Sequence, residues 1–581
     1  MADHNGDDRW ITDWPWSDRY PSYTRANAGE VLPEPSSPLN VTLLWDPGVN
    51  IGWAEGYTDR KALGTHLESE LDPVYPETIG NFAGYHYTNL PATGIIGARM
   101  PGMTVETWNR LWIGDRDDIP PHPHRDTDEN PEITAHLAER AAWVLTTTEF
   151  PEVEKAKALA HEARENRPDL NALSDAELVE RARAMVPDIA YSYKWHVPAT
   201  TLGAVAPSLM GAALATIDRV DALGELLRGA GNVDSAAPSF AMWDLGRVVA
   251  DSSTLMDLFE GPSREILSRL QASDDPIAED FLKSLDDLLY RYGSRAPNEW
   301  DLRSDSWETK PALVLLAINA MARSGEEMNP YTLNEQHREH RVQLTAELAE
   351  QMDEETRGQF LASAAAAVRF MPWRERGKTA CIRLSNEMRV ALFELGRRMV
   401  DRGVLTDHHD ITLLLNSELD DFVANPEPYK ETLAQRRIDY LALYDLEPPF
   451  FLTEPLPLSQ WPKRGAATPR RPLATGESIQ GTPGSPGVAR EVARIVTDPF
   501  DLGDFGPGDV LVAPSTDPAW TPLFVPAAAV VVNVGALITH AVIISRELGL
   551  PCVVSAVDAT LRIPEGALVE VDGTTGVVTV L

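Results

Sequence analysis

The chain has 581 residues, of which 43% are apolar and 24% charged, and a formal net charge of −37. That length calls for several domains, the composition is ordinary for a globular protein, and the charge disfavours nucleic acid and anionic membranes as partners. Cys381 and Cys552 lie far apart, which excludes a disulfide framework or a cysteine-rich metal site; there is no run of about 18 apolar residues and the acidic start is no signal peptide, so a cytoplasmic location is expected. The charge balance reverses locally, with eight basic against four acidic residues between Arg374 and Arg402.

Residues 1–60, rich in Trp, Pro and Gly, suggest irregular structure with short strands. The stretch TRANAGEVLPEPSSPL (24–39) is broken by prolines and is no long helix. Residues 61–130 are mixed. Within them PPHPH (120–124) reads as a proline-held surface loop, because His122 and His124 lack a further ligand pattern.

From about 130 to 445 apolar residues recur at helical spacing, for example over 135–145 and 175–186. The small-residue run 199–214 is expected to be buried. His337 and His340 sit among charges and read as a solvated face, while His408 and His409 read as a loop; no metal site is expected. Two stretches concentrate functional side chains. RYGSRAPNEWDLRSDSW (291–307) crowds Arg295, Glu299, Asp301, Arg303 and Trp307 around turn formers, which suits either substrate contacts or a buried polar brace. In MPWRERGKTA (371–380), a helix running through Gly377 would put Arg374 and Lys378 on one face with Glu375 beside them. Two cations and a carboxylate suit phosphoryl transfer, although a charged surface turn has the same composition. Residues 447–476 are Pro-rich, a semi-rigid linker by composition.

The final part changes texture. Strand-like runs at 487–496, 509–514, 528–533, 552–555 and 568–580 alternate with Gly, Pro and Asp turns, and DGTTG (572–576) suggests a terminal hairpin. Within AAAVVVNVGALITHAVIISRELGLPCVVS (527–555), the run Val530–Val532 reads as a buried strand broken at Asn533–Gly535. Thr539 is a suitable N-cap, so His540 opens a helix that Gly549 and Pro551 stop. A helix N-terminus disfavours imidazolium and attracts an anion. The expected outcome is a neutral imidazole able to act as a nucleophile, with a seat for a phosphoryl group. Position alone does not separate this from an ordinary helix-start histidine.

The residues Gly535, Thr539, His540, Ala541, Arg546, Glu547, Gly549, Leu550 and Pro551 are in step with the phosphohistidine motif of the phosphoenolpyruvate-utilising dikinase and phosphotransferase family, departing from it at Ala536. TDPAWTPL (516–523) resembles the family's segment before the histidine loop. TRANAGEVLPEPSSPL and YHYTNL (85–90) resemble parts of the substrate-binding domain of the rifamycin phosphotransferase branch. The 291–307 stretch is similar to that branch's Tyr-Gly-His-Arg-Gly…Glu-x-Asp-Leu…Arg-Trp motif, with Ser294, Asp305 and Ser306 departing from it. MPWRERGKTA resembles its Arg-Glu-x-x-Lys motif.

The resemblance implies a multidomain protein: a mainly α-helical substrate (acceptor)-binding domain over 1–446 with an irregular N-terminal part, the linker 447–476, and a small α/β swivelling phosphohistidine domain over 477–581. It implies that His540 carries a phosphoryl group on Nε2. Thr539 would cap the helix and orient the ring, with Gly535 and Arg546 in support. Arg374 and Lys378 would neutralise the transferred charge, and Glu375 would accept or position the acceptor's proton. Arg295, Glu299, Asp301 and Trp307 would contact substrate.

Neither a GxxxxGK[ST] loop nor the family's ATP-grasp signatures are present. ATP and Mg2+ are therefore expected through a separate ATP-grasp subunit, which would convert ATP to AMP and phosphate. The acceptor is expected to be an organic alcohol or phenol. The alternatives are a phosphoenolpyruvate-synthase-like component, disfavoured because the chain ends at Leu581 where a barrel should follow, and a non-catalytic binding subunit with a degenerate histidine domain, disfavoured by the intact Thr539–His540 and Arg546–Glu547 pairs.

Overall fold

The computed structural model describes residues 8–114, 116–229, 234, 237–464, 471–499, 502–516, 520–535 and 539–581. Ala536, residues 517–519 of the TDPAWTPL segment and residues 465–470 of the linker lie outside the described residues, as does the side chain of Glu547. The chain is mainly helical, with two small sheets and a small α/β segment at its C-terminal end. It divides into two compact units: Met1–Leu202 with Trp300–Ser304 and Arg376–Pro469, and Gly203–Glu299 with Asp305–Glu375 and Arg470–Leu581.

The first unit holds a four-stranded antiparallel sheet of order β2-β3-β1-β4, from β1 (Tyr23–Thr24), β2 (Ile79–Phe82), β3 (Tyr85–Asn89) and β4 (Phe451–Leu452). The buried Arg25 ties this region together, its guanidinium donating to the carbonyls of His86, Leu32 and Pro33 at 2.5, 2.8 and 3.1 Å. Residues 40–58 correct the expectation of irregular structure: Asn40–Asn50 is a π-helix that runs on into an α-helix, Ile51–Thr58. Pro47, Gly52 and Gly56 are poor helix formers, but packing overrides propensity here. A Cβ on Gly52 would lie 2.3 Å from the carbonyl oxygen of Ala190, so the glycine lets this helix approach the helix Val186–Gly203 closely.

Within the second unit the C-terminal segment forms an eight-stranded sheet of order β5-β12-β11-β7-β8-β9-β10-β6. Its strands are β5 (Ser478–Gln480), β6 (Thr482–Ser485), β7 (Val488–Ile495), β8 (Val510–Ala513), β9 (Ala529–Val532), β10 (Cys552–Val554), β11 (Leu568–Asp572) and β12 (Val577–Val580). β7 to β10 run parallel, and β11–β12 is the expected hairpin. The inner strands β8, β9 and β10 are apolar and buried at every position because both faces are covered. Val510, Val512, Ala529 and Val531 point into one core with Ile563, Val569 and Val578. Leu511, Val530, Val532 and Val554 point into another, shared with Trp243, Phe281 and Ile318 of the same unit's helices and with Trp307 of a turn.

One helical run, 175–215, is long and apolar enough to cross a membrane by length and composition; its most apolar 18-residue stretch has a mean hydropathy of 1.4 and is 44% buried.

Candidate functional site

β9 ends at Val532, and Asn533 locks the turn that follows: its side chain donates to Thr560 Oγ1 at 2.7 Å and accepts from Thr560 N at 3.0 Å. Gly535 is required by close approach, since a Cβ there would come within 2.9 Å of Val554. His540 is the first residue of the helix His540–Leu548. That helix closes as the sequence predicts. Gly549 adopts φ 71°, ψ 21°, and Leu550 N donates back to the Ser545 carbonyl at 2.8 Å. Arg546, in the last turn where a cation suits the helix dipole, donates from Nε to the Gly484 carbonyl at 2.9 Å, and burial pushes its pKa down to about 10.

The imidazole of His540 is partly buried and held on both nitrogens. Nδ1 lies 3.4 Å from Thr516 Oγ1 and Nε2 3.1 Å from Thr521 Oγ1, while the ring of Phe524 meets it edge-on at 5.5 Å. Thr521 is fully buried and opens the short helix Thr521–Phe524. The expected role of Thr539 needs correction. It occupies the N-cap position with extended backbone (φ −81°, ψ 165°), but its side chain makes no capping bond, and its buried Oγ1 has no hydrogen-bond partner among the described residues. Thr516 and Thr521, in contrast, face the ring nitrogens. Both lie in a segment whose likeness to the family was legible, but nothing in the spacing of two threonines beside prolines marked them as ring ligands.

The second predicted group sits on one helix, Glu354–Asp401, which runs unbroken through Pro372 and Gly377. Arg374 and Lys378 are half-buried and four residues apart on it, and Glu375 is buried, 5% exposed, with an oxygen 3.9 Å from Arg374 Nε. The basic run that follows is largely spent on internal ion pairs. Arg397 and Arg398 each bond Glu394 at 2.9 Å, Arg398 and Arg402 hold Asp175, and Glu387 is clasped by Arg167 at 2.6 Å and Arg181 at 3.2 Å.

Arg295, Glu299, Asp301 and Trp307 of the 291–307 stretch are buried. Arg295 Nη1 is 3.4 Å from Glu299 Oε2, and the backbone N–H of Trp307 donates to the Arg295 carbonyl at 2.7 Å, with all three residues 4% exposed or less. Trp307 packs in the helical core. In the first unit, the Asp301 carboxylate accepts from Ser37 N at 3.0 Å, Ser37 Oγ at 2.9 Å and Arg303 N at 2.8 Å, and burial raises its pKa. These contacts have the form of a buried polar brace.

The other histidines divide. His122 is not a surface-loop side chain: its Nε2 lies 3.0 Å from the buried Asp128 carboxylate and its ring packs on Gly94, whereas His124 is 70% exposed. His337 is half-buried, and a Cβ on Gly549 would lie 2.9 Å from its Nε2, so it covers the end of the histidine helix instead of lying on a fully solvated face. His340 is exposed and lies 2.6 Å from Glu225. His408 and His409 open a 3-10 helix instead of a plain loop, because Asp407 caps it by accepting from His409 N at 3.0 Å.

Fold and site together describe a mainly helical protein with a C-terminal α/β segment in which a histidine opens a helix, and two segments of the chain match known families. Residues 505–576 match the mobile domain of phosphoenolpyruvate-utilising enzymes, and residues 196–375 match the fourth domain of rifampicin phosphotransferase. The chain is 28% identical over 372 residues to the uncharacterized phosphotransferase YvkC of Bacillus subtilis, covering 61% of this chain and 43% of that protein. It is 29% identical over 361 residues to a rifampicin phosphotransferase of Streptomyces sviceus, covering 61% and 40% respectively. An uncharacterized protein of Mycobacterium tuberculosis is 38% identical over 216 residues, covering 37% of this chain and 24% of its own. The chain thus spans less than half the length of each of these relatives.

Proposed function

We propose that the chain is a phosphotransferase component in which His540 accepts a phosphoryl group on Nε2 and passes it to the hydroxyl of an organic alcohol or phenol. The observation that carries this reading is the seating of His540: it is the first residue of a helix, inside the segment matching the mobile domain, with each ring nitrogen facing a threonine hydroxyl. For Nε2 to be the nucleophile, Nδ1 must carry the proton and donate it to Thr516 Oγ1, while the Thr521 hydroxyl turns toward or away from the Nε2 lone pair. The positive end of the helix dipole then favours the incoming anion.

The phosphoryl donor in this reading is ATP with Mg2+, bound by an ATP-grasp domain on a separate polypeptide, which releases AMP and phosphate. Transfer onward is mostly positioning and charge neutralisation. Arg374 and Lys378 supply cations to the phosphoryl oxygens, and Glu375 takes or positions the acceptor's proton. Residues 477–581 move as the carrier domain on the 447–476 segment. In the structure one face of the carrier's sheet shares an apolar core with the helices of its unit, so a swing has to part that face, and undocking is expected to limit turnover.

The test uses ATP labelled at the β-phosphate with candidate ATP-grasp proteins. Acid-labile, base-stable label on the full chain and none on His540→Ala supports the reading. Absence of label with a partner that hydrolyses ATP to AMP and phosphate overturns it and leaves a binding subunit.

A further inference from the structure

We propose that His86 and Asn81 form the floor of a buried site in the first unit that binds a phenolic hydroxyl of the ligand other than the hydroxyl that is phosphorylated. The proposal rests on the reading that the protein handles a hydroxyl-bearing acceptor. β2 and β3 pair so that Asn81 and His86 stand directly opposite each other, which puts their side chains together on one face. They are 1% and 2% exposed, and among the described residues neither the amide nitrogen and oxygen of Asn81 nor either ring nitrogen of His86 has a hydrogen-bond partner. Native interiors satisfy nearly all such atoms, so four side by side mark a place where another molecule supplies the bonds. Burial, with the Arg25 guanidinium nearby, pushes the His86 pKa down to about 3, so the ring is neutral and offers one donor and one acceptor. A hydroxyl, which both donates and accepts, matches that set, whereas an ammonium would meet the Arg25 cation.

The surroundings select an aromatic body for that hydroxyl. The Trp45 ring lies 4.5 Å from the His86 ring and 5.8 Å from Trp300, and Tyr193 lies 5.8 Å beyond Trp300. Trp45 spends its own N–H on the Trp300 carbonyl at 3.2 Å, while the buried Trp300 Nε1 has no partner and adds a further donor. Trp45 is carried by the π-helix Asn40–Asn50, an element that is rare at this length and associated with functional sites. At the far end of the same helix Asn50 accepts from Thr78 Oγ1 at 2.7 Å and keeps its amide nitrogen unpartnered. Stacking surface and orphaned polar atoms therefore converge in one unit, on residues with no role in the phosphoryl chemistry assigned above.

The experiment titrates the full chain with 4-fluorophenol and, separately, fluorobenzene, read by fluorine NMR. Saturable binding of 4-fluorophenol is expected, weakened about tenfold or more when the ligand lacks its hydroxyl, and by a similar factor in Asn81→Leu and His86→Phe, whose circular dichroism reports on folding. No saturable binding, or equal binding of the two probes, overturns the proposal; the comparison of probes needs no variant and so stands even if a variant misfolds. Binding unchanged in well-folded Asn81→Leu and His86→Phe also overturns it and leaves a hydrated packing pair. His540→Ala should bind 4-fluorophenol as the parent does, so loss of phosphoryl transfer and loss of this site are read separately.

Discussion

The hydroxyl of Thr521 lies 3.1 Å from Nε2 of His540, on the nitrogen assigned to receive the phosphoryl group, while Thr516 lies 3.4 Å from Nδ1. The two threonines should therefore act in opposite senses. Thr516 accepts from Nδ1–H and fixes the productive tautomer, whereas Thr521 competes for the lone pair that must attack. Thr516→Val is expected to slow labelling of His540 by roughly tenfold, the value of one hydrogen bond of about 1.4 kcal/mol. Thr521→Val should leave it unchanged or faster. Rates of label incorporation decide the matter, and a Thr521→Val slower than Thr516→Val would reverse the assignment.

Glu375 and His540 should separate into two half-reactions. Glu375 is buried on the long helix beside Arg374, and its assigned partner is the acceptor's hydroxyl, not ATP. Glu375→Gln keeps the shape and removes the base. It is expected to leave phosphorylation of His540 within about twofold while slowing discharge to an acceptor by about a hundredfold or more. Chase of the pre-labelled protein with acceptor measures this. An equal loss in both steps would mean that Glu375 supports the fold.

The sequence made the histidine module legible because its signals are local. β-branched runs, a Gly-bearing break, Thr before His, and Gly before Pro each act within a few residues, and the strands and helix fall within a residue or two of where those signals put them. The first unit's sheet was not legible, because β1 and β4 are two residues each and pair across more than four hundred positions, with no periodicity to read. The π-helix was hidden by Pro47 and Gly48. Residue types named the crowding at 291–307, but only burial distinguishes a brace from an exposed binding surface, and burial of Arg295 and Glu299 depends on the fold around them.

Thr539 offers a stability test that distinguishes the N-cap suggested by sequence from the contact observed. A capping threonine ordinarily contributes about 1 kcal/mol. Here its hydroxyl is buried with no partner among the described residues, so Thr539→Val should cost less than about 0.5 kcal/mol and could stabilise. Urea unfolding of the two proteins measures it. A loss above about 1.5 kcal/mol would mean that the capping bond does form in solution.

Asp46 should give the first unit a characteristic dependence on pH. Its carboxylate accepts from Trp14 Nε1 at 3.2 Å, which favours the ionised form, but burial outweighs that bond and pushes its pKa up to about 7, from 3.8 in the open chain. A group whose pKa is raised on folding favours the folded state while both states are protonated. Its contribution is therefore complete below about pH 4, falls away as the pH rises towards 7, and is lost above that. Asp13, pushed up to about 7 by burial against bonds from the backbone of Trp10 and Gly84, adds a parallel loss over the same range. Carboxylates elsewhere that are held low by arginines oppose the trend, so the raw stability curve of the protein does not isolate it. The difference between the parent and Asp46→Asn does, since asparagine keeps an oxygen for Trp14 and cannot ionise. Melting temperatures at pH 4.5, 6, 7 and 8 should show the variant gaining on the parent from the first value to the third and holding its lead at the last. A difference that stays constant across the series would assign the raised pKa to another carboxyl.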